Sequence, residues 1–548
     1  MVALVGERFG LDGAGRQPPP VTALELPRPR LEPPAALAPI AASDPWTRAA
    51  HAYGKAYRDV VRALAGRIDH PPDVVVTPRS EAEVRDVLDW CAAAGAAVIP
   101  YGGGSSVVGG VEPDVGEAYR GAVTLDLGAL DRVVEVDEVS LAARIEAGAL
   151  GPALESQLRA RGLTLRHFPQ SFECSTIGGW VATRAGGHFA TGPTHIDDLV
   201  EALRVVTPAG TVQTRRLPAS GAGPSPDRLF LGSEGVLGVI TEVWVRVRRR
   251  PVWRGGGAAT FPTFAAGAAA VRALAQSGLQ PANCRLVDPL EAAINGAGDG
   301  SAAVLLVGFE SADAPVDAAV ARAGELVQDL GGTIDRAAWA QQAAVARGGR
   351  GEKAAQDSGP AGSAPGTAAA GRAPVRGAPE AGGAPSDAAG AWRRSFLRAP
   401  YVRDALVRYG VLCETFETAV TWDRFDALHD AVTAAVREAL GATGSGAGFV
   451  TCRTTHAYPD GVAPYFTVIA PARRGAEVEQ WDEVKAAAAT AVLAAGGTIT
   501  HHHAVGRDHR RWYDQQRPEL FAGALRAAKV VLDPQGICNP GVLIDPGG

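Results

Sequence analysis

The chain has 548 residues, 46% of them hydrophobic, enough to bury a large core and to divide into at least two domains. Its net charge of −6 is shallow for that length and its arginines are spread along the chain, which excludes a broad basic face for nucleic acid and points to small-molecule partners. Six cysteines, at 91, 174, 284, 413, 452 and 538, include no Cys-x-x-Cys pair and no zinc spacing, so a reducing compartment is expected.

At the N-terminus Glu7 and Arg8 follow a very short apolar start, so no secretory signal is expected, and no uninterrupted apolar run is long enough to span a bilayer. The expected location is the cytoplasm. Residues 1–45 are Pro-rich, with Pro18-Pro19-Pro20 and Pro33-Pro34; without a sustained hydrophobic period they read as an extended arm. A first, cofactor-holding domain is expected over 46–250. Val74-Val75-Val76-Thr77 reads as a short β-branched strand that turns at Pro78. Ser80 and Glu83 form a capping box for a helix in which Val84, Val87, Leu88 and Cys91 recur at helical spacing, and Gly95 stops it. Ala97-Val98-Ile99 follows as a buried strand. Strands and helices alternate up to Val239 to Val247, whose alternation predicts a half-buried strand, and Arg248-Arg249-Arg250-Pro251 marks a boundary.

Residues 251–495 read as a second α+β domain, a cap, with Ala-rich helical segments and a strand at Ala303-Val304-Leu305-Leu306-Val307. Within it, roughly 348–390 is almost wholly Ala, Gly, Pro, Ser and scattered charge. That composition cannot bury enough apolar surface to offset the entropy of ordering, so a disordered insertion is expected. Residues 496–548 are expected to return to the first domain and the functional site.

The segment from Pro100 through Tyr101, Gly102, Gly103, Gly104, Ser105 and Ser106 to Gly110 follows a buried strand, where consecutive glycines let several backbone N–H groups turn toward one anion. A diphosphate is the natural guest. Gly104 to Gly109 has Walker A spacing, but Gly110-Val111 stands where Lys and Ser or Thr are required. A dinucleotide fingerprint would need Gly at Val107 and a helix next, which Val111-Glu112-Pro113-Asp114 does not continue. A mobile glycine hinge is the plain alternative.

Two further segments decide between them. Ser175, Thr176, Gly178, Gly179, Thr183, Arg184 and Gly186 lie in a second glycine-bearing stretch, and Glu234, Gly235, Gly238, Val239 and Ile240 in a third. In this order the three resemble the flavin-binding loops of the FAD-binding oxidoreductases of the vanillyl-alcohol oxidase and p-cresol methylhydroxylase (PCMH) type. The resemblance implies an α+β fold, a two-domain arrangement of PCMH-type FAD-binding domain and α+β cap domain with an antiparallel sheet. It implies FAD as cofactor, held by the residues just named. Pro100 to Gly110 contains no His or Cys for a covalent flavin bond, so non-covalent FAD is expected.

Within that group the chain resembles the alkyldihydroxyacetonephosphate synthase family across most of residues 70–545. The marks are Phe168-Pro169-Gln170-Ser171, Trp180, Asp197-Asp198-Leu199-Val200, Tyr401-Val402-Arg403-Asp404, Glu414 to Thr418, Thr451-Cys452-Arg453, Tyr465-Phe466 and the triplet His501-His502-His503. Gly496 to Thr500 reads as a strand leading into the triplet, which would place His501 and His503 on one face and His502 on the other unless the strand ends there. The nearest carboxylate in sequence is Asp508 and no Cys is close, so no metal is expected; a solvated strand edge stays open. Tyr465 in an apolar strand reads equally as core, and Arg403 beside Asp404 as a surface ion pair.

The resemblance implies catalytic roles for all five residues. His502 would take a proton from the carbon next to the carbonyl of acyl-dihydroxyacetone phosphate, flavin N5 would capture that carbon, and Tyr465 would help the fatty acid leave before a fatty alcohol displaces the flavin. Imidazole suits the first task because it titrates near neutrality. His503 would complete the proton relay, and Arg403 would hold or polarise the anionic substrate. The same scaffold also serves the alternative, a dehydrogenase or oxidase of 2-hydroxy acids such as glycolate or D-lactate. Either way the substrate is a small molecule or lipid-like, a reading compatible with peripheral membrane contact and a homodimer. A long-chain substrate would call for an apolar tunnel through the cap. The chain ends Asp545-Pro546-Gly547-Gly548, without a peroxisomal tripeptide.

Overall fold

The computed structural model describes residues 2–10, 15–335, 339 and 401–545; the insertion expected near 348–390 lies outside the described residues. Two hydrophobic cores organise the chain. In the first, strands β1 (Ala41–Ala42), β2 (Val74–Val76), β3 (Ala97–Tyr101) and β4 (Ala122–Asp126) form a sheet in the order β1-β2-β4-β3, with β2, β4 and β3 parallel. Val74, Val76, Val98, Val123 and Leu125 are buried in it, as the unbroken apolar runs of a covered parallel sheet require. The crossover helix Glu81–Ala94 starts where the Ser80 hydroxyl accepts the Glu83 N–H at 3.3 Å and stops at Gly95, whose φ of +64° only glycine adopts freely. Only half of the capping box forms, because the Glu83 carboxylate turns to the Arg79 N–H and guanidinium instead.

Strands β5 (Val133–Asp137), β6 (Ala142–Glu146), β7 (Leu163–Thr164), β8 (Val200–Thr207), β9 (Gly210–Gln213), β10 (Val239–Arg246) and β11 (Arg248–Arg249) complete the first half. Five of them make an antiparallel sheet ordered β5-β6-β10-β8-β9, and β7 pairs with β11. The second half is one antiparallel sheet. Its strands are β12 (Trp253–Phe261), β13 (Asn283–Val287), β14 (Ala303–Ser311), β15 (Thr333–Ile334), β16 (Val411–Glu417), β17 (Val420–Thr421), β18 (Phe449–Ala457) and β19 (Gly461–Pro471), ordered β15-β12-β14-β13-β18-β19-β16 with β17 also against β19. Helices Phe264–Gln276, Asp317–Asp329, Phe425–Ala442 and Glu477–Ala494 bury Val271, Val320, Val432 and Val484 in the second core with this sheet.

Both chain ends fold back onto these halves. Val2–Phe9 is a helix, since the prolines begin only at Pro18, and its Val5 packs with Leu406, Val411, Phe449 and Ile469 against the second sheet. At the other end Val98 of β3 donates to the Ile537 carbonyl and accepts from the Asn539 N–H, both at 2.8 Å, and Val505, Ile537 and Val542 enter the first core. The buried Lys529 ammonium anchors this return: it donates to the Val236 and Cys538 carbonyls at 2.7 Å each and to Asp533, whose carboxylate also accepts the Ile537 and Cys538 N–H groups. Removing one member of such a buried pair leaves the other uncompensated. Lys529→Met should therefore cost about 3 kcal/mol, read as a lower denaturant midpoint; an unchanged midpoint would contradict this role.

Candidate active site

The three glycine-bearing segments converge. Among the described residues, the N–H groups of residues 102–107 donate to no protein acceptor, leaving a continuous run of amide donors at the end of β3. That is the donor set a diphosphate needs. Ser106 shapes the far end, its hydroxyl accepting the Gly110 N–H at 3.0 Å and its carbonyl the Lys55 N–H at 2.6 Å. The glycines also serve close packing: a Cβ at Gly102 would strike the Thr176 hydroxyl, and one at Gly103 the Cys174 carbonyl. Thr176 caps the helix Ile177–Thr183 by accepting the Gly179 N–H, Ser175 accepts the Trp180 indole N–H at 2.6 Å, and Thr183 donates to the Gly179 carbonyl at 2.8 Å. Gly178 lies against Ala147, and Arg184 closes the helix in the left-handed region with its guanidinium on Asp197.

In the third segment a Cβ on Gly235 would lie 2.9 Å from the Pro100 ring, so this loop touches the first. Gly238, Val239 and Ile240 run into β10 against Val205 and Val206. The Glu234 side chain is committed within the protein. Its two oxygens accept the Val505 and Gly506 N–H groups at 2.9 and 2.8 Å, and burial pushes its carboxyl up to about 7.

Gly496 to Thr500 does not form the expected strand. Its backbone finds other partners, the Thr498 N–H on the Ala419 carbonyl and the Ile499 N–H on Gln516. The triplet that follows is held by one carboxylate. Glu417, at the end of β16 and buried, accepts the N–H groups of His501, His502 and His503 at 2.6, 3.0 and 2.9 Å and the Thr500 hydroxyl at 2.7 Å. Because these amides grip one anion rather than a neighbouring strand, the rings do not alternate across a sheet; they gather. His501 Nδ1 lies 3.0 Å from His502 Nδ1 and 3.5 Å from His195 Nε2, and His501 Nε2 lies 2.8 Å from the Tyr458 hydroxyl, itself 2.9 Å from Thr194 Oγ1. His456 packs on His501 and His502, with its Nε2 3.1 Å from the Gly187 carbonyl that it donates to. Gly186 is pressed between His456 and His502, which places the cluster against the second glycine segment.

Tyr465 of β19 joins this group, its ring centroid 6.3 Å from His502 and 5.6 Å from His503 and its hydroxyl donating to Gln170 Oε1 at 3.4 Å. The Arg453 guanidinium lies over its ring at 3.8 Å and pairs with buried Glu291. Arg403 is not brought in. It sits on a helix at 401–408 with its guanidinium on Asp404, at 3.1 and 2.8 Å, and among the described residues no hydrogen bond, ion pair or ring contact joins it to Tyr465 or the triplet.

Burial sets the protonation states. It pushes His456, His501 and His502 well below the usual imidazole value and His503 below it, with neighbouring imidazoles adding to the effect on the first three. Burial alone would raise Glu417; His503, His501, the Thr500 hydroxyl and the His502 N–H outweigh it and hold this carboxyl below its ordinary value. The Tyr465 phenol is pushed up by burial against the opposing pull of Arg453. At neutral pH the site therefore offers neutral imidazole bases, an intact phenol and one buried anion behind them. His503 Nδ1 and His502 Nδ1 lie 3.8 and 3.6 Å from that anion. His501 and His502 with His456, and His502 and His503 with Glu417, form two potential chelating groups, each with its ligand atoms mutually within 4.8 Å.

The sequence reading missed His195, His456, Tyr458 and Glu417 as members of the site. His456 lies at the end of β18, after a register shift that follows Thr454, and Tyr458 lies just past the strand, so no regular spacing marked them. Nothing local could have tied them to residues 501–503. Glu417→Gln keeps the shape but sets an amide N–H against the His501 N–H. The displaced triplet should lose about a hundredfold in turnover with flavin content unchanged, measured by absorbance and product formation; full activity would show that the carboxylate does not position the histidines.

Residues 72–215 match the family model of an FAD binding domain, and residues 251–543 match that of the FAD linked oxidases, C-terminal domain. The chain is similar to the alkyldihydroxyacetonephosphate synthase of Caenorhabditis elegans, 32% identical over 90% of this chain and 79% of that protein. A solved alkyldihydroxyacetonephosphate synthase superposes with a TM-score of 0.74 at 25% identity, covering 98% of this chain and 90% of that one. Solved p-cresol methylhydroxylase with substrate bound shares the fold, with a TM-score of 0.64 at 14% identity over 93% and 94% of the two chains.

Proposed function

We propose that this chain, which belongs to the FAD-linked oxidases and within them to the alkyldihydroxyacetonephosphate synthase family, replaces the acyl chain of acyl-dihydroxyacetone phosphate by a fatty alcohol. FAD is its cofactor, and the amide run at 102–107 with the segments at Ser175–Gly186 and Glu234–Ile240 would hold it. When bound, FAD supplies an electrophile for a carbon nucleophile without net electron transfer.

The observation that carries the reading is the chain of contacts from His502 through His501 and Tyr458 to Thr194, with steps of 3.0, 2.8 and 2.9 Å. A neutral His502 takes the proton from the carbon beside the substrate carbonyl, and His501 shares it through the facing Nδ1 atoms while Tyr458 and Thr194 carry it onward. Glu417 stabilises the imidazolium that forms. Tyr465, kept protonated by burial and fixed by Gln170 and Arg453, donates to the departing carboxylate. His503 braces the relay from the other side of Glu417.

Anaerobic holoenzyme given acyl-dihydroxyacetone phosphate and a long-chain alcohol should yield ether product and free fatty acid with no electron acceptor. Lasting flavin bleaching by glycolate or D-lactate, with no ether formed, would overturn the assignment. His502→Ala should retain FAD and lose turnover. Because burial depresses His502, its base form persists as pH falls, so the acid limb of kcat/KM should lie below the ordinary imidazole value of 6.5. A limb above that value would exclude His502 as the base.

A further inference from the structure

Beside the histidine cluster stands an imidazole with no structural employment. His188 is sandwiched between Phe168 and Phe189, with ring centroids 4.8 and 4.4 Å away, and neither of its buried ring nitrogens has a hydrogen-bond partner among the described residues. Leaving a buried polar group unmatched is costly, and such groups mark sites completed by something else. Its surroundings are cationic. The Arg248 guanidinium lies 5.1 Å from the Phe189 ring centroid and makes no ion pair or side-chain hydrogen bond among the described residues. Arg166 lies 5.2 Å over Phe168 and is occupied by Glu310; Arg285 is buried nearby and, with Arg166, His167 and Arg248, reinforces the effect of burial in keeping His188 neutral.

The backbone invests in this arrangement. Arg166 is held in the left-handed region at φ +62°, a conformation that persists only where its surroundings enforce it. Here the enforcement is an N–H bonded at 3.1 Å to both Glu155 and Thr164. Both loops of the sandwich run straight to the reacting groups: Gln170 receives the Tyr465 hydroxyl, Gly187 receives His456, and Gly186 touches His502.

We propose that His188, Arg248 and Arg285 seat the phosphate of the dihydroxyacetone phosphate ester, an assignment that rests on the synthase reading above. Imidazole N–H and guanidinium groups are the donors a phosphate takes. The charge of Arg285 bears on His188 and also on His456 and His502, so the seat adjoins the reacting groups.

The test uses the FAD-loaded full chain, titrated with dihydroxyacetone phosphate, inorganic phosphate or phosphate-free dihydroxyacetone, following heat and flavin absorbance. Arg248→Gln and His188→Asn should each weaken dihydroxyacetone phosphate binding by about tenfold or more, leave the dihydroxyacetone titration unaltered, and raise KM for the acyl ester with kcat nearly unchanged. Inorganic phosphate should compete in the wild type and not in the variants. Should His188→Asn lose FAD, the half-exposed Arg248→Gln carries the test alone. Affinity unchanged by Arg248→Gln, or a wild type that binds both triose forms equally, overturns the proposal. A wild type that binds the phosphate through these residues yet forms no ether would retire the synthase reading and leave the seat standing.

Discussion

One buried carboxylate decides whether this protein has a catalytic centre. Glu417 closes β16 of the second sheet, while the residues it holds, Thr500 to His503, belong to a segment on its way back to the first core. Three consecutive N–H groups cannot point at one atom pair in a strand or in the interior of a helix. They do so here because a full negative charge, charge-assisted and shielded from water, outweighs the regular alternatives. The bend that results gathers three imidazoles that sequence spacing alone would have scattered.

A second carboxylate repeats the device a few residues on. Glu234, from the third glycine segment, takes the Val505 and Gly506 N–H groups, so residues 500–506 hang between a carboxyl of the second half and a carboxyl of the first. The histidine cluster thereby sits at the joint of the two cores by construction. Neither carboxylate can be traded for an apolar residue without orphaning several amides, a cost that falls on geometry before it falls on stability.

The parts of this design that were legible in the amino-acid order are those written in short-range patterns. The Ser80-capped helix, the buried strand at Ala97, the glycine run and the alternation from Val239 each depend on neighbours within a turn or a strand, and the three glycine segments announced the flavin scaffold by their order. Glu417 was not legible because it occupies the last position of an otherwise buried strand, where a carboxylate looks like an exposed edge until its four donors arrive from more than eighty positions away. His195 and Tyr458 were missed for the same reason. Arg403 and Asp404 are the converse: their adjacency was readable as an ion pair, and that is the contact the fold makes.

Why histidines fill this joint follows from what burial does to charge. A carboxylate base in the same place would need its own donors to stay ionised, and those donors would consume the lone pairs it must lend to a proton. A buried imidazole is neutral at rest and keeps a free lone pair. Its difficulty comes later, when it accepts a proton and must carry a positive charge in a poorly solvated site. Glu417 already stands 3.6 Å from His502 and 3.8 Å from His503, kept ionised by His503, His501, the Thr500 hydroxyl and the His502 N–H, so the countercharge is in place before the proton arrives. The residue that shapes the cluster is thus also the one that makes it competent as a base, and its fourfold hydrogen bonding is what lets it serve both ends without reorganising.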